Sequence, residues 1–179
     1  MKTLKDIYTN LVETPSDINE HLETLKMYAD ECDHITEMGV RGAVSTVALL
    51  MGKPYTMISY DVVDCDVDYL KKLTKDLIDF NFLKANTLKI EIEFTDLLFI
   101  DTLHNYTQLS QELSLHAKNV DKYIILHDTT SYEYVGESYD GKPHNGIWPA
   151  VLDFLDINPE WEIHKRYTNN NGLTILKKI

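Results

Sequence analysis

His34-Ile35-Thr36-Glu37-Met38-Gly39-Val40-Arg41-Gly42-Ala43-Val44-Ser45-Thr46 is the stretch whose reading decides the fold. A short strand ends near an acid, a turn with two glycines follows, and an apolar run from Val44 to Met51 stops at Gly52. The pattern is that of strand, tight turn and helix, one βα unit. Glycines in such a turn let the backbone approach a ligand closely, and the amides that open the helix can bind its polar end. The same turn also forms with no ligand, so its meaning has to come from the rest of the chain.

Downstream the alternation repeats. Tyr55-Thr56-Met57-Ile58-Ser59-Tyr60 reads as a second strand ending at Asp61, and residues 67–78 as a helix with Leu70, Leu73 and Leu77 inward. Phe80-Asn81-Phe82-Leu83 is a third strand with Ala85-Asn86-Thr87 as its exit turn. The fourth, Asp96-Leu97-Leu98-Phe99-Ile100-Asp101, is almost wholly apolar, the mark of a strand covered on both faces, and is expected at the centre of the sheet. A helix over 106–117 leads to a fifth strand, Tyr123-Ile124-Ile125-Leu126, ending at His127-Asp128. Residues 129–146 show no clear period and are read as a substrate-side lid. After a helix over 147–155, the strands 161–167 and 173–177 are joined by Thr168-Asn169-Asn170-Asn171-Gly172, a hairpin signal that makes the last strand antiparallel.

Upstream, apolar positions at Leu4, Ile7, Tyr8, Leu11 and Val12 predict a helix over 2–13. Thr14-Pro15-Ser16-Asp17 supplies a break and an N-cap for a second helix carrying Ile18, His21, Leu22, Leu25 and Tyr28. Residues 1–32 are thus expected to form cap helices before a core at 33–179, all in one domain, since 179 residues suffice for a single core. The predicted class is α/β: a doubly wound, mostly parallel sheet whose ligand cleft lies beyond the carboxyl ends of the strands.

With a net charge of −12 and 17 scattered Lys and Arg residues, the chain has no basic stripe to meet a phosphate backbone, so nucleic acid is not an expected partner. Cys32 and Cys65 lack zinc-ligand spacing. No apolar run approaches the ~18 residues of a membrane span, so a cytoplasmic protein without a membrane partner is expected.

The chemistry concentrates at strand ends. Asp61 suits a pair of ribose hydroxyls, although a solvated acid explains it too and Asp64 and Asp66 compete for the role. Asn86 is either a polar contact to adenine or a turn residue bonded to its own backbone. Asp101, His104, His127 and Asp128 fall at adjacent strand ends. An imidazole with a pKa near ~6.5 suits removal of a hydroxyl proton, which makes either His104 or His127 a candidate base. Capping by Asp128 is the plainer alternative.

Three pieces, Glu37-Met38-Gly39-Val40-Arg41-Gly42, Phe99-Ile100-Asp101-Thr102-Leu103-His104-Asn105-Tyr106 and Ile124-Ile125-Leu126-His127-Asp128, stand in order at the ends of the first, fourth and fifth strands. With five strands and a closing antiparallel pair, the span from Asp33 to Lys177 resembles the class I S-adenosylmethionine-dependent methyltransferases. More narrowly, it resembles the sugar and small-molecule O-methyltransferase group that includes the cephalosporin-biosynthesis enzymes. The resemblance implies a seven-stranded Rossmann-like sheet with its last strand antiparallel beside the fifth. It also implies S-adenosylmethionine bound by Glu37, Gly39, Arg41, Gly42, Ser45, Asp61, Asn86 and Asp101. Methyl transfer to a hydroxyl of a small acceptor, a sugar or glycan precursor rather than a phenol, would use His104, His127 and Asp128. Mg²⁺ is a candidate second cofactor on Asp101, Asp128 and His127. Asn86 and His127 stand where relatives usually carry acids. Tyr132, Tyr134, Tyr139, His144 and Trp148 offer flat surfaces to an acceptor or to packing, and the Asn169–Gly172 amides are placed on the acceptor side. A nucleotide-dependent oxidoreductase is an alternative, weakened by the absence of Gly-x-Gly-x-x-Gly; a non-catalytic ligand-binding relative is another. A homo-oligomer is left open.

Overall fold

The computed structural model describes residues 2–179. In chain order the elements are α1 (Leu4–Glu13), α2 (Leu22–Ala29), β1 (His34–Met38), α3 (Val44–Met51), β2 (Thr56–Asp61), α4 (Asp68–Thr74), β3 (Asp79–Lys84), β4 (Thr95–Ile100) and α5 (Tyr106–His116). There follow β5 (Val120–His127), the short β6 (Val135–Gly136) and β7 (His144–Asn145), α6 (Ile147–Ile157), β8 (Trp161–Tyr167) and β9 (Leu173–Lys178). The large sheet runs β3-β2-β1-β4-β5-β9-β8, with β4 at its centre and β9 antiparallel to both neighbours.

The apolar run of β4 explains why it is central. Leu97 and Phe99 face one core together with α2, α3 and Ile35 of β1, whereas Leu98 and Ile100 face a second core with α5 and α6. A strand that feeds both layers has no face left for polar residues. Chain order reverses between β1 and β4, so the cleft opens at the carboxyl ends of these two strands, the topological switch point.

Two local expectations are corrected. Asp17 does not cap the second helix: a 3₁₀ turn at Asn19–His21 precedes α2, and the Asp17 carboxylate pairs with Arg41 instead. The helix before β3 ends at Thr74, leaving Leu77 78% exposed, because the chain must turn there to enter β3 at the sheet edge. Within the lid, where the sequence shows no clear period, β6 and β7 pair as a two-stranded ribbon.

Candidate active site

The β1–α3 corner is held from within. Glu37, on the face of β1 that meets α3, is fully buried and accepts hydrogen bonds from Ser45 Oγ (2.7 Å), Thr46 Oγ1 (2.8 Å) and Ser59 Oγ (2.6 Å). Burial pushes its carboxyl up to about 7 even though the three hydroxyls stabilise the ionised form. Gly39 sits at φ +89°, and a Cβ there would lie 1.9 Å from the Asp101 carbonyl oxygen. Its small size therefore serves the junction of β1 with β4 rather than a ligand. Gly42 is the glycine that faces open space, where an added Cβ would meet only Val44 Cγ2 at 4.0 Å.

Asp61, at the end of β2, ties the turn down. Its Oδ2 accepts from the backbone amides of Val40 (2.9 Å) and Arg41 (3.0 Å), and its Oδ1 from that of Val63 (3.1 Å). Burial alone would raise this carboxyl, but the three amides hold it below its ordinary value. One lone pair of Oδ1 remains for a ligand. Arg41 contributes its backbone to the turn while its guanidinium pairs with Asp17 across the cavity mouth. Ala43, in the left-handed conformation, leads into α3 without a side-chain cap, so the first-turn amides beside Val44 and Ser45 adjoin the cavity.

Two cavities share Gly39, Arg41, Asp61, Asp101, Thr102 and Leu103. One, about 360 Å³, extends past Gly42 and Ser45 to His104, Asp128 and Glu137. The other, about 440 Å³, extends past Tyr60, Val62 and Val63 to Asn86, Thr87 and Gln108. Asn86 lies at this second cavity, but its Oδ1 accepts from the Leu88 amide at 2.9 Å and caps a short 3₁₀ turn, the local bonding that sequence left as an alternative.

Where the two cavities adjoin β4 and β5, the four titratable residues do meet. His104 Nε2 lies 3.1 Å from Asp101 Oδ1 and 3.0 Å from Asp128 Oδ2. His127 Nδ1 is 3.4 Å from the same two oxygens, and its Nε2 faces the Asn170 carbonyl at 3.4 Å. Burial works against charge on all four, but mutual pairing prevails. Asp101 is held down at about 2, Asp128 falls well below the carboxylate range, and His104 and His127 rise to about 10 and about 9. Pairing with the two carboxylates therefore favours the protonated form of both imidazoles.

One ligand atom from each of Asp101, His104 and Asp128 falls within 4.8 Å of the others, a spacing able to hold a cation. His104 thus stands in the set that sequence assigned to Asp101, Asp128 and His127. Asp128 is 6% exposed at φ +59°, and its Oδ1 has no hydrogen-bond partner.

The lid supplies contacts that sequence reading missed. Glu137 Oε2 accepts from His104 Nδ1 at 3.0 Å, and Tyr132 stacks on the His104 ring at 4.7 Å between centroids. Of the other aromatic candidates, Trp148 is buried beneath the Arg166 guanidinium, while Tyr139 stacks on His144. The Asn-rich loop does not turn its side chains to an acceptor. Asn170 bonds Ser16 O and Glu20 N, and Asn169 bonds Glu20, pinning the N-terminal segment whose Asp17 and Ile18 wall the cavity. No sequence signal at Glu137 or Asn170 names partners more than thirty residues away.

No protein-family model matches the chain, and no curated protein matches it in sequence. Solved structures match over nearly its whole length, and their shared architecture is the class I methyltransferase fold, which this chain adopts. A putative caffeoyl-CoA O-methyltransferase from Staphylococcus aureus aligns at 14% identity and TM-score 0.65, over 100% of this chain and 93% of its own. The N-methyltransferase NodS from Bradyrhizobium japonicum, in complex with S-adenosyl-L-homocysteine, aligns at 11% and 0.64 over 99% of each chain. An O-methyltransferase from Bacillus cereus in complex with SAH aligns at 14% and 0.61, over 98% of this chain and 89% of its own.

Proposed function

We propose that the protein is an S-adenosylmethionine-dependent methyltransferase that methylates a hydroxyl of a small acceptor, a saccharide in preference to a phenol. The observation that carries this reading is the junction of two cavities at Asp101–Leu103, with a nucleoside-sized slot on one side and a cluster of polar and ionisable groups on the other. Its fold is that of structures that bind S-adenosylhomocysteine.

The chain's own groups fit the donor. The open side of Gly42 and the uncapped amides of α3 suit the carboxylate of its methionine part. The free lone pair of Asp61 Oδ1 suits a ribose hydroxyl, and Val62, Val63 and Leu103 line the slot for a base. When bound, the donor supplies a methyl group on a sulfonium. Asp101, His104, Asp128 and Glu137 line the acceptor side with hydrogen-bonding groups, which favours a polyhydroxylated molecule over a flat apolar ring. Asp101 and Asp128, which line this end of the cavity, offer carboxylate oxygens to the acceptor hydroxyl and aim its oxygen. His104 Nε2, 3.1 Å from Asp101 Oδ1 and 3.0 Å from Asp128 Oδ2, holds both carboxylates in place.

Asp101, His104 and Asp128 also fit a divalent cation, which would favour the ionised form of an acceptor hydroxyl. Their O, N, O donor set suits a first-row transition ion at least as well as Mg²⁺. The narrower likeness to the sugar O-methyltransferase group rests on the three sequence pieces.

Calorimetry with S-adenosylmethionine and S-adenosylhomocysteine tests the donor, and absence of binding by folded protein overturns the proposal. Incubation of cell extracts with methyl-labelled donor, with and without chelator, tests the rest by mass spectrometry. Label on a hydroxylated small molecule is expected; label on an amine would correct the acceptor class.

A further inference from the structure

Glu112, on α5, is fully buried and belongs to neither the cation-spacing group nor the β1–α3 corner. Three side chains donate into it. Thr87 Oγ1 lies 2.6 Å from its Oε1, Thr102 Oγ1 2.8 Å from its Oε2, and Gln108 Nε2 2.9 Å from its Oε1. Burial raises the Glu112 carboxyl while these three donors stabilise its ionised form, in which its oxygens accept from each of them. The Thr87 hydroxyl gives its hydrogen to Glu112 and its oxygen accepts from Gln108 Nε2 at 3.3 Å, so one N–H of the Gln108 amide is shared between Glu112 and Thr87. The Gln108 amide nitrogen is thereby turned towards Glu112 and Thr87, and its carbonyl oxygen, at the other end of the amide, is the acceptor left to face a ligand.

Gln108 lines the same slot as Val62, Val63 and Leu103. The slot therefore has apolar walls and, at its α5 side, a hydrogen-bond acceptor of fixed orientation. Asn86, where a polar contact to the base was expected, has its own carbonyl oxygen bonded to Leu88 N.

We propose that Gln108 reads the 6-amino group of adenine, and that Glu112 is a positioning residue that turns the Gln108 amide so that its oxygen faces the base. The assignment rests on the methyl-donor reading above. An amino group at position six donates to the Gln108 oxygen. A 6-oxo purine would set oxygen against oxygen, and the amide cannot flip without breaking two hydrogen bonds.

The test is calorimetric binding of S-adenosylhomocysteine and its 6-oxo analogue, S-inosylhomocysteine, to the full chain. Wild type is expected to prefer the adenosyl compound by roughly tenfold to a hundredfold. Gln108→Leu should weaken adenosyl binding about tenfold and bring the two affinities close together. Glu112→Gln should keep the preference, since its amide carbonyl can still accept from Gln108. Glu112→Leu should lose it, because the Gln108 amide is then free to rotate. A purely structural role for Glu112 would weaken both ligands equally and leave their ratio alone. If Glu112→Leu does not fold, Thr87→Val removes the second anchor of the amide and should lower the same ratio. Equal binding of both compounds by wild type, or an undiminished preference in Gln108→Leu, overturns this assignment alone. Failure of wild type to bind S-adenosylhomocysteine overturns it together with the methyl-donor reading.

Discussion

The β1–α3 corner and the β4/β5 strand ends both carry buried acids, yet they treat them differently. At the corner, Glu37 is surrounded by neutral hydroxyls and its carboxyl rises to about 7. At the strand ends, Asp101 and Asp128 share two imidazoles and stay ionised far below neutrality. Hydroxyl dipoles offset only part of the cost of burying a charge, whereas an opposite charge at hydrogen-bond distance more than offsets it. The corner is thus a closed scaffold that offers a ligand mostly backbone, while the strand ends keep charge where chemistry can use it.

The largest effect should come from breaking the contact between the two regions. Gly39→Ala places a Cβ against the Asp101 carbonyl at a left-handed φ, where neither backbone can yield cheaply. A loss of about 4 kcal/mol or more is expected by denaturant titration, enough to threaten folding.

Next in size is a separation by pH, measured as Tm in a chelating buffer. The folded Glu37 carboxyl, near 7 against an ordinary 4.5, holds its proton more tightly than the unfolded chain does. Stability therefore falls as pH rises from 4.5 to about 7, by on the order of 3 kcal/mol, and Glu37→Gln should flatten this window. His104 and His127 lie above their ordinary 6.5, so their contribution is complete below pH 6.5 and is lost as pH rises through about 9 and about 10. His104→Gln should reduce the alkaline limb without touching the lower window. Asp101 acts in the opposite sense: its contribution is present above 3.8 and is lost as pH falls through about 2. A single merged transition in both variants would mean that the two regions titrate as one.

The smallest effect is assigned to Arg41→Ala. The Arg41 side chain is 78% exposed, so loss of its pair with Asp17 should change stability by less than about 0.5 kcal/mol. Donor affinity, read by calorimetry, should drop two- to fivefold by rough estimate, since Asp17 then no longer braces the cavity wall.

Much of the fold was legible before any coordinates. The bounds of β1, α3 and β8 follow from residue pattern and glycine stops, and the central place of β4 follows from its unbroken apolar run. The antiparallel β9 follows from the Asn-Gly join. Among site residues, Asp101, His104, His127 and Asp128 were legible as strand-end groups and do come together. Gly39 and Asn86 were legible as special positions, and the bond of Asn86 to its own turn was one of its two readings, but the packing of Gly39 on Asp101 was not legible. Glu137, Thr87, Gln108 and Glu112 carried no signal, being ordinary surface-type residues in sequence that become neighbours only across the fold.

The sequence by itself determined the elements and their order, because periodicity and turn chemistry act over a few residues. It also determined that several strands end in groups able to bind or to titrate. Only the tertiary structure decided which polar atoms are already satisfied and which are left over. Those remaining atoms, where they line a cavity as Gln108 does, set what the site can recognise. Hydrogen-bond saturation is a property of three-dimensional neighbours, and no local pattern encodes it.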